Sequence, residues 1–206
     1  MPLVIVTGYP CSGKTRTAER LAEFLRGKGK SVSVVNNESL GVVRNGAYAS
    51  PQAEKICRGN FKAAVERGTT KDSILIADDL NYIKGYRYEL FCIARAEGTS
   101  CCTVHVDASV DHVTSTNSQR SAEGNRYADS IVEELPLRYE RPNDRNKWER
   151  PLFVVTPEDE SLPLQDIMDV LEGQKLNPNM ATVSTPVAAG NLLHEVDMKT
   201  NEIMAA

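Results

Sequence analysis

The chain has 206 residues, 41% of them hydrophobic and 25% charged, with a formal net charge of −4; this is the make-up of one globular domain with an appendage, and it excludes a disordered chain. No apolar run reaches the roughly 20 residues of a membrane span, and the acidic balance excludes a generic basic wrapper of duplex DNA while leaving a local basic face open. A strand beginning at Leu3 leaves no space for a secretion leader, so a cytoplasmic chain with access to the nucleus is expected.

In chain order, Leu3 to Thr7 reads as a buried strand. Gly8-Tyr9-Pro10-Cys11-Ser12-Gly13-Lys14-Thr15 follows it and matches G-x-x-x-x-G-K-[ST]. Ala18, Leu21, Ala22 and Leu25 then recur on one face of a helix that begins near Gly13 and stops at Gly27 and Gly29. A Gly-rich loop between strand and helix turns its backbone N–H groups inward, and the helix dipole adds to the field, so the segment binds phosphate. Gly8, Pro10, Cys11, Ser12, Gly13, Lys14, Thr15 and Arg16 are the expected cradle. Lys14 reaches the β- and γ-phosphates and the Thr15 hydroxyl ligates Mg²⁺.

Ser31 to Val35 is a second strand, and Asn36 to Ser50 is polar and turn-rich. Pro51 opens a helix to Gly68, capped by Ser50, with Cys57, Phe61 and Ala64 on one face. Ser73 to Ala77 is a third strand ending in Asp78-Asp79; an acid at the carboxyl end of such a strand holds the hydration shell of the metal, which assigns Asp78. Asp79 reads equally as a helix cap or a catalytic base. A helix from Ile83 or Gly85 to Gly98 points Tyr86, Leu90, Phe91 and Ala94 inward, and Cys101 to Val106 is a fourth strand.

After a turn and short helix to Asn117, residues 118–129 are polar and unpatterned, as suits a lid, and its Arg120 and Arg126 are candidates to stabilise charge on the transferring phosphoryl group. Ser130 to Leu135 is a short helical piece, Pro136 to Pro151 has no period, Leu152 to Thr156 is a fifth strand, and Leu164, Ile167, Met168 and Leu171 mark a last helix. Alternating strands and helices make a three-layer α/β P-loop fold of the nucleoside-kinase kind, its five-stranded, mostly parallel sheet flanked by helices, with the loop at the carboxyl edge where ligands bind. Residues 174–190 read as a flexible linker and 191–206 as the start of a truncated C-terminal helical region. The five cysteines have no C-x-x-C spacing and read as reduced packing residues, and His105 as a structural residue in a strand.

Asp78-Asp79-Leu80-Asn81-Tyr82-Ile83-Lys84-Gly85-Tyr86-Arg87-Tyr88-Glu89-Leu90 is more specific than a magnesium strand. With Leu137-Arg138-Tyr139-Glu140-Arg141-Pro142, Trp148-Glu149-Arg150-Pro151-Leu152-Phe153, Tyr48, Glu54, Lys55, Arg58, Asn117, Arg120 and Tyr127, it resembles the family of the Elongator-associated killer-toxin-insensitivity regulator, related to the kinase that phosphorylates seryl-tRNA for selenocysteine synthesis. The resemblance covers Met1 to about Gly173 and departs at Glu149 and Arg150, where the family usually has Asp and a small residue. It implies a P-loop ATPase domain over 1–173 that uses ATP and Mg²⁺, contacts tRNA and supports the Elongator complex in modifying wobble uridines.

RNA contact is expected from Lys84, Arg87 and Tyr88 at the ligand edge, and from the basic run with interleaved aromatics that contains Arg138, Tyr139, Arg145 and Trp148. The reading is a tRNA-dependent regulatory ATPase; a tRNA kinase acting on an aminoacyl hydroxyl and a non-catalytic nucleotide-gated assembly factor are the alternatives.

Overall fold

The structure, a computed structural model, describes residues 2–70, 72–121 and 126–173. The expected linker and C-terminal segment lie outside the described residues, as do residues 122–125 of the expected lid. Five strands, β1 (Leu3–Gly8), β2 (Val32–Asn36), β3 (Ile74–Asp78), β4 (Cys101–Val106) and β5 (Leu152–Val155), form one sheet in the order β2-β3-β1-β4-β5. All four pairings are parallel. β1 is central, with Val6 opposite Asp78 on β3 and Gly8 opposite Val106 on β4, so the loop and the acidic pair leave the sheet at the same edge.

A central parallel strand is covered on both faces, which is why Leu3 to Val6 are all apolar rather than alternating. Val4 and Val6 pack against Ala18, Leu21 and Leu25 of α1 (Lys14–Gly27) and Ile167 and Leu171 of α7 (Leu164–Leu171). Leu3 and Ile5 face the other way, onto Phe61 and Val65 of α3 (Pro51–Gly68) and Leu90 and Ala94 of α4 (Lys84–Ala96). Each such Val, Leu or Ile side chain contributes about 2 kcal/mol of burial, and the two layers hold the carboxyl edge in place. α3 has the bounds its sequence announces, with Ser50 Oγ accepting from the Ala53 N–H at 3.1 Å.

Three details differ from expectation. The polar run after β2 contains a short helix, α2 (Arg44–Ala47), too brief to show a period. After α5 (Val110–Ser118), α6 spans Asp129–Leu137 and carries Pro136 in its last turn, where the missing N–H costs a single intrahelical bond. On α4, Ile93 is buried and Phe91 is half-buried, packed beside Trp148 of the 3₁₀ turn η1 (Lys147–Glu149). All five cysteines are free thiols, and among the described residues no helix is long and apolar enough to cross a membrane.

Candidate functional site

The phosphate loop is shaped by two close constraints. A Cβ at Gly8 would stand 2.5 Å from the Val106 carbonyl oxygen and 2.8 Å from Ser12 Oγ, so only glycine fits against β4. Cys11 (φ 56) and Gly13 (φ 89) adopt left-handed conformations that curl the intervening backbone into an anion-binding nest. Gly13 occupies the cap position of α1, and no side chain caps that helix, so its first N–H groups point toward the cleft for a ligand to use. Ser12 Oγ is buried without a hydrogen-bond partner among the described residues. Lys14 folds over the loop and donates to the Tyr9 carbonyl; burial lowers its pKa to about 8, against the pull of the Asp78 and Asp79 carboxylates. The loop is tied to α5 by Cys11 Sγ, 3.6 Å from Asn117 Oδ1, and Asn117 in turn holds the backbone of Tyr127 through two 3.0 Å bonds.

Asp78 sits at the end of β3 facing the start of α1. Burial raises its pKa, while Lys14 and the neighbouring Thr15 hydroxyl lower it; its Oδ2 is buried and has no partner among the described residues. A hydroxyl and a carboxylate with an open oxygen form the donor set of Mg²⁺, which binds through few protein oxygens and keeps several waters, so Thr15 and Asp78 fit the expected ion. Asp79 accepts from Asn37 Nδ2 at 2.8 Å, and desolvation pushes it up to about 6 against the opposing effects of the Leu80 backbone and Lys14. It is not a helix cap, because α4 begins at Lys84 with Ile83 at the cap position.

A cleft of about 170 Å³ joins these groups, lined by Cys11 to Arg16 of the loop, Asn37 and Glu38 after β2, Asp78 and Asp79, and also by Arg44, Arg120 and Tyr127. Gly8 and Pro10 do not line the cleft. Arg126, expected beside Arg120, is turned away: its guanidinium pairs with Asp129 at 2.9 Å and its carbonyl accepts from Asn45. The second guanidinium on the wall belongs to Arg44, which stacks over the Tyr127 ring at 5.4 Å and pairs with Glu38.

The expected RNA contacts divide. Arg87 is fully buried and its guanidinium is bound to Glu149, so it cannot reach a phosphate; a basic residue in the first turn of a helix reads as solvated, and the acid that buries it lies 62 positions on. Tyr139 also faces inward, its hydroxyl 3.0 Å from Thr7 Oγ1 and its ring flanked by His105 and Tyr9. Arg138 pairs with Glu54 at 3.1 Å and lies over the Tyr82 ring. Lys84, Tyr88 and Arg145 are exposed, and Trp148 meets Tyr88 edge-on at 5.2 Å.

Comparison with known proteins gives consistent matches. A family described as "Chromatin associated protein KTI12" matches residues 1–206. The Protein KTI12 homolog of Danio rerio is 43% identical over 208 residues, covering 100% of this chain and 75% of that protein. The Xenopus laevis homolog is 42% identical, with 100% and 74% covered. Among solved structures, Chaetomium thermophilum Kti12 in complex with ADP-AlF3 superimposes with a TM-score of 0.74 at 32% identity, over 82% of this chain and 99% of that one. The Mycobacterium tuberculosis APS kinase in complex with AMPPNP and APS shares the fold, with a TM-score of 0.55 at 19% identity over 83% of this chain and 97% of that one.

Proposed function

The chain belongs to the KTI12 family, and we propose that it binds Mg²⁺-ATP in the cleft and hydrolyses it in a tRNA-dependent cycle, as a regulatory factor supporting Elongator in wobble-uridine modification. The observation that carries the nucleotide half is the meeting, in one cleft, of the loop nest, Lys14, the Thr15–Asp78 pair and two guanidiniums. The ADP-AlF3 held by the Chaetomium relative supports it.

Phosphoryl transfer needs positioning and charge stabilisation more than covalent chemistry. The loop N–H groups and Lys14 hold the phosphates against the end of β1. Thr15 and Asp78 hold the metal ion, which neutralises charge on the phosphate oxygens when bound. Arg44 and Arg120 line the same cleft as the loop, where they balance charge developing on the γ-phosphoryl group. Asp79, fixed by Asn37, is the carboxylate placed to orient the attacking water. Exposed Lys84, Tyr88 and Arg145, with Trp148 edge-on to Tyr88, support the RNA half, since a single-stranded base requires a stacking ring and its phosphate a cation.

The test is phosphate release from ATP with and without bulk tRNA. Stimulated release supports the proposal; label retained on the RNA or another acceptor would make the protein a kinase, and nucleotide-dependent partner binding without turnover would make it an assembly factor.

A further inference from the structure

Arg87 and Glu149 are each 0% exposed and form an ion pair outside the phosphate cleft. Glu149 Oε1 accepts from Arg87 Nε at 3.0 Å and Nη2 at 2.8 Å. Its Oε2 accepts from the Asn143 N–H at 3.0 Å and from Asn146 Nδ2 at 2.6 Å, so the carboxylate gathers the 143–149 segment around itself. The third guanidinium nitrogen in use, Nη1, donates at 2.9 Å to the carbonyl of Asn81. Asn81 has φ 44, a left-handed conformation in the turn that follows Asp78 and Asp79. The same carbonyl accepts from the Thr7 hydroxyl at 3.1 Å, and Asn81 Nδ2 donates to the Val6 carbonyl at 2.7 Å. The turn therefore rests on the end of β1, where the phosphate loop begins.

Burying two charges is costly, and a well-packed apolar pair of similar volume is often as stable, so stability alone does not account for this pair. Its connections do. One face of η1 turns Trp148 outward onto Tyr88 and Phe91 of α4, and the next residue, Glu149, turns inward onto Arg87 of the same helix. The exposed aromatic and basic face is thus one residue from a rigid chain of bonds ending at the acidic turn.

We propose that Arg87 and Glu149 are positioning residues that couple RNA held on the outer face of η1 to the geometry of the Asp78–Asn81 turn, so that RNA binding sets the rate of hydrolysis. The proposal rests on the tRNA-dependent reading above and adds the route by which the RNA acts.

The experiment uses the whole chain, with bulk tRNA as probe, and measures the KM for ATP, basal kcat, stimulated kcat and tRNA affinity for three variants. Glu149→Gln keeps shape and removes the charge; Arg87→Met with Glu149→Leu replaces the pair with apolar volume and keeps the fold if the single variant does not; Glu149→Asp keeps the charge. In the first two, tRNA affinity and KM should stay within about twofold of the parent while the stimulation ratio drops by roughly tenfold, the scale on which groups that orient a catalytic ligand act; Glu149→Asp should retain stimulation. Parent-like stimulation in the apolar pair overturns the coupling, because a purely structural role is rescued by packing. Loss of tRNA affinity in step with stimulation overturns it too, assigning the pair to the RNA surface. A parent that tRNA does not stimulate removes the functional reading itself, a result seen without any variant.

Discussion

The Thr15 hydroxyl stands beside Asp78 and lowers the pKa of its carboxyl group, while Asp78 Oδ2 lies buried with no partner among the described residues. A buried carboxylate oxygen left open costs free energy unless something occupies it, and the adjacent hydroxyl makes a divalent ion the fitting occupant. Asp78→Asn keeps the shape and removes the charge. Mg²⁺-dependent turnover should fall by roughly 10- to 100-fold, with nucleotide binding in EDTA unchanged. An equal loss of binding in EDTA would make Asp78 a structural residue of the loop.

The close approach at Gly8 gives a second expectation. In Gly8→Ala the new methyl group must push either the Val106 carbonyl or Ser12 aside, since the two lie 2.5 and 2.8 Å from its ideal place. Overpacking of this kind costs roughly 1–3 kcal/mol, and one of the two displaced groups, Ser12, belongs to the cradle. Both Tm and ATP affinity should fall; a variant matching the parent in both would show that the loop does not depend on its contact with β4.

His105 gives a pH dependence of stability. Its burial lowers the imidazole pKa to about 4, with Arg141 and Arg87 adding to the effect and Asp107 opposing it. The unfolded chain takes up the proton as pH falls through about 6.5, and the fold does so only near 4. The stability tied to neutral His105 is therefore complete above 6.5 and is lost as pH falls toward 4, by roughly 3 kcal/mol. Asp78 and Asp79, whose values are raised, act in the opposite sense, so the measurement is the difference between parent and His105→Phe. That difference should shift in favour of the variant between pH 6.5 and 4; a constant difference would mean that His105 does not titrate as its burial requires.

Arg145→Ala with Lys147→Ala removes two exposed cations from the face around Trp148. If each contacts a phosphate, tRNA affinity should drop and the slope of log affinity against log salt should shallow by roughly 1.5. Arg138→Ala should leave that slope unchanged and lower Tm, because Arg138 is engaged with Glu54. The opposite pattern would place the RNA contact at Arg138.

The parts of this molecule written in local patterns were legible in its sequence. A glycine-spaced loop between an apolar strand and an amphipathic helix, and an acid closing a second apolar strand, located Lys14, Thr15 and Asp78 because spacing alone brings them to one sheet edge. Ser50 and Pro51 announced the start of α3 for the same reason. Arg44 escaped because it sits on a four-residue helix in a polar run, where no period marks it. Arg87 and Tyr139 were placed on the surface by residue type, and their true positions depend on Glu149 and Thr7, partners distant in the chain. Arg126 shows the converse: lying beside Arg120 in a polar stretch gave it a role, and its pairing with Asp129 directs it elsewhere.

The most direct measurement is steady-state phosphate release from Mg²⁺-ATP by the parent and by Lys14→Ala, with tRNA present and with the fold of each checked by its thermal transition. Lys14 donates to the loop carbonyl of Tyr9, and the Asp78 and Asp79 carboxylates favour its charged form against the desolvation that lowers its pKa. The expected result is tRNA-stimulated release by the parent and a collapse of release in a folded Lys14→Ala protein. Release by Lys14→Ala at the parent's rate would contradict it, because the cleft would then not be where ATP is cleaved.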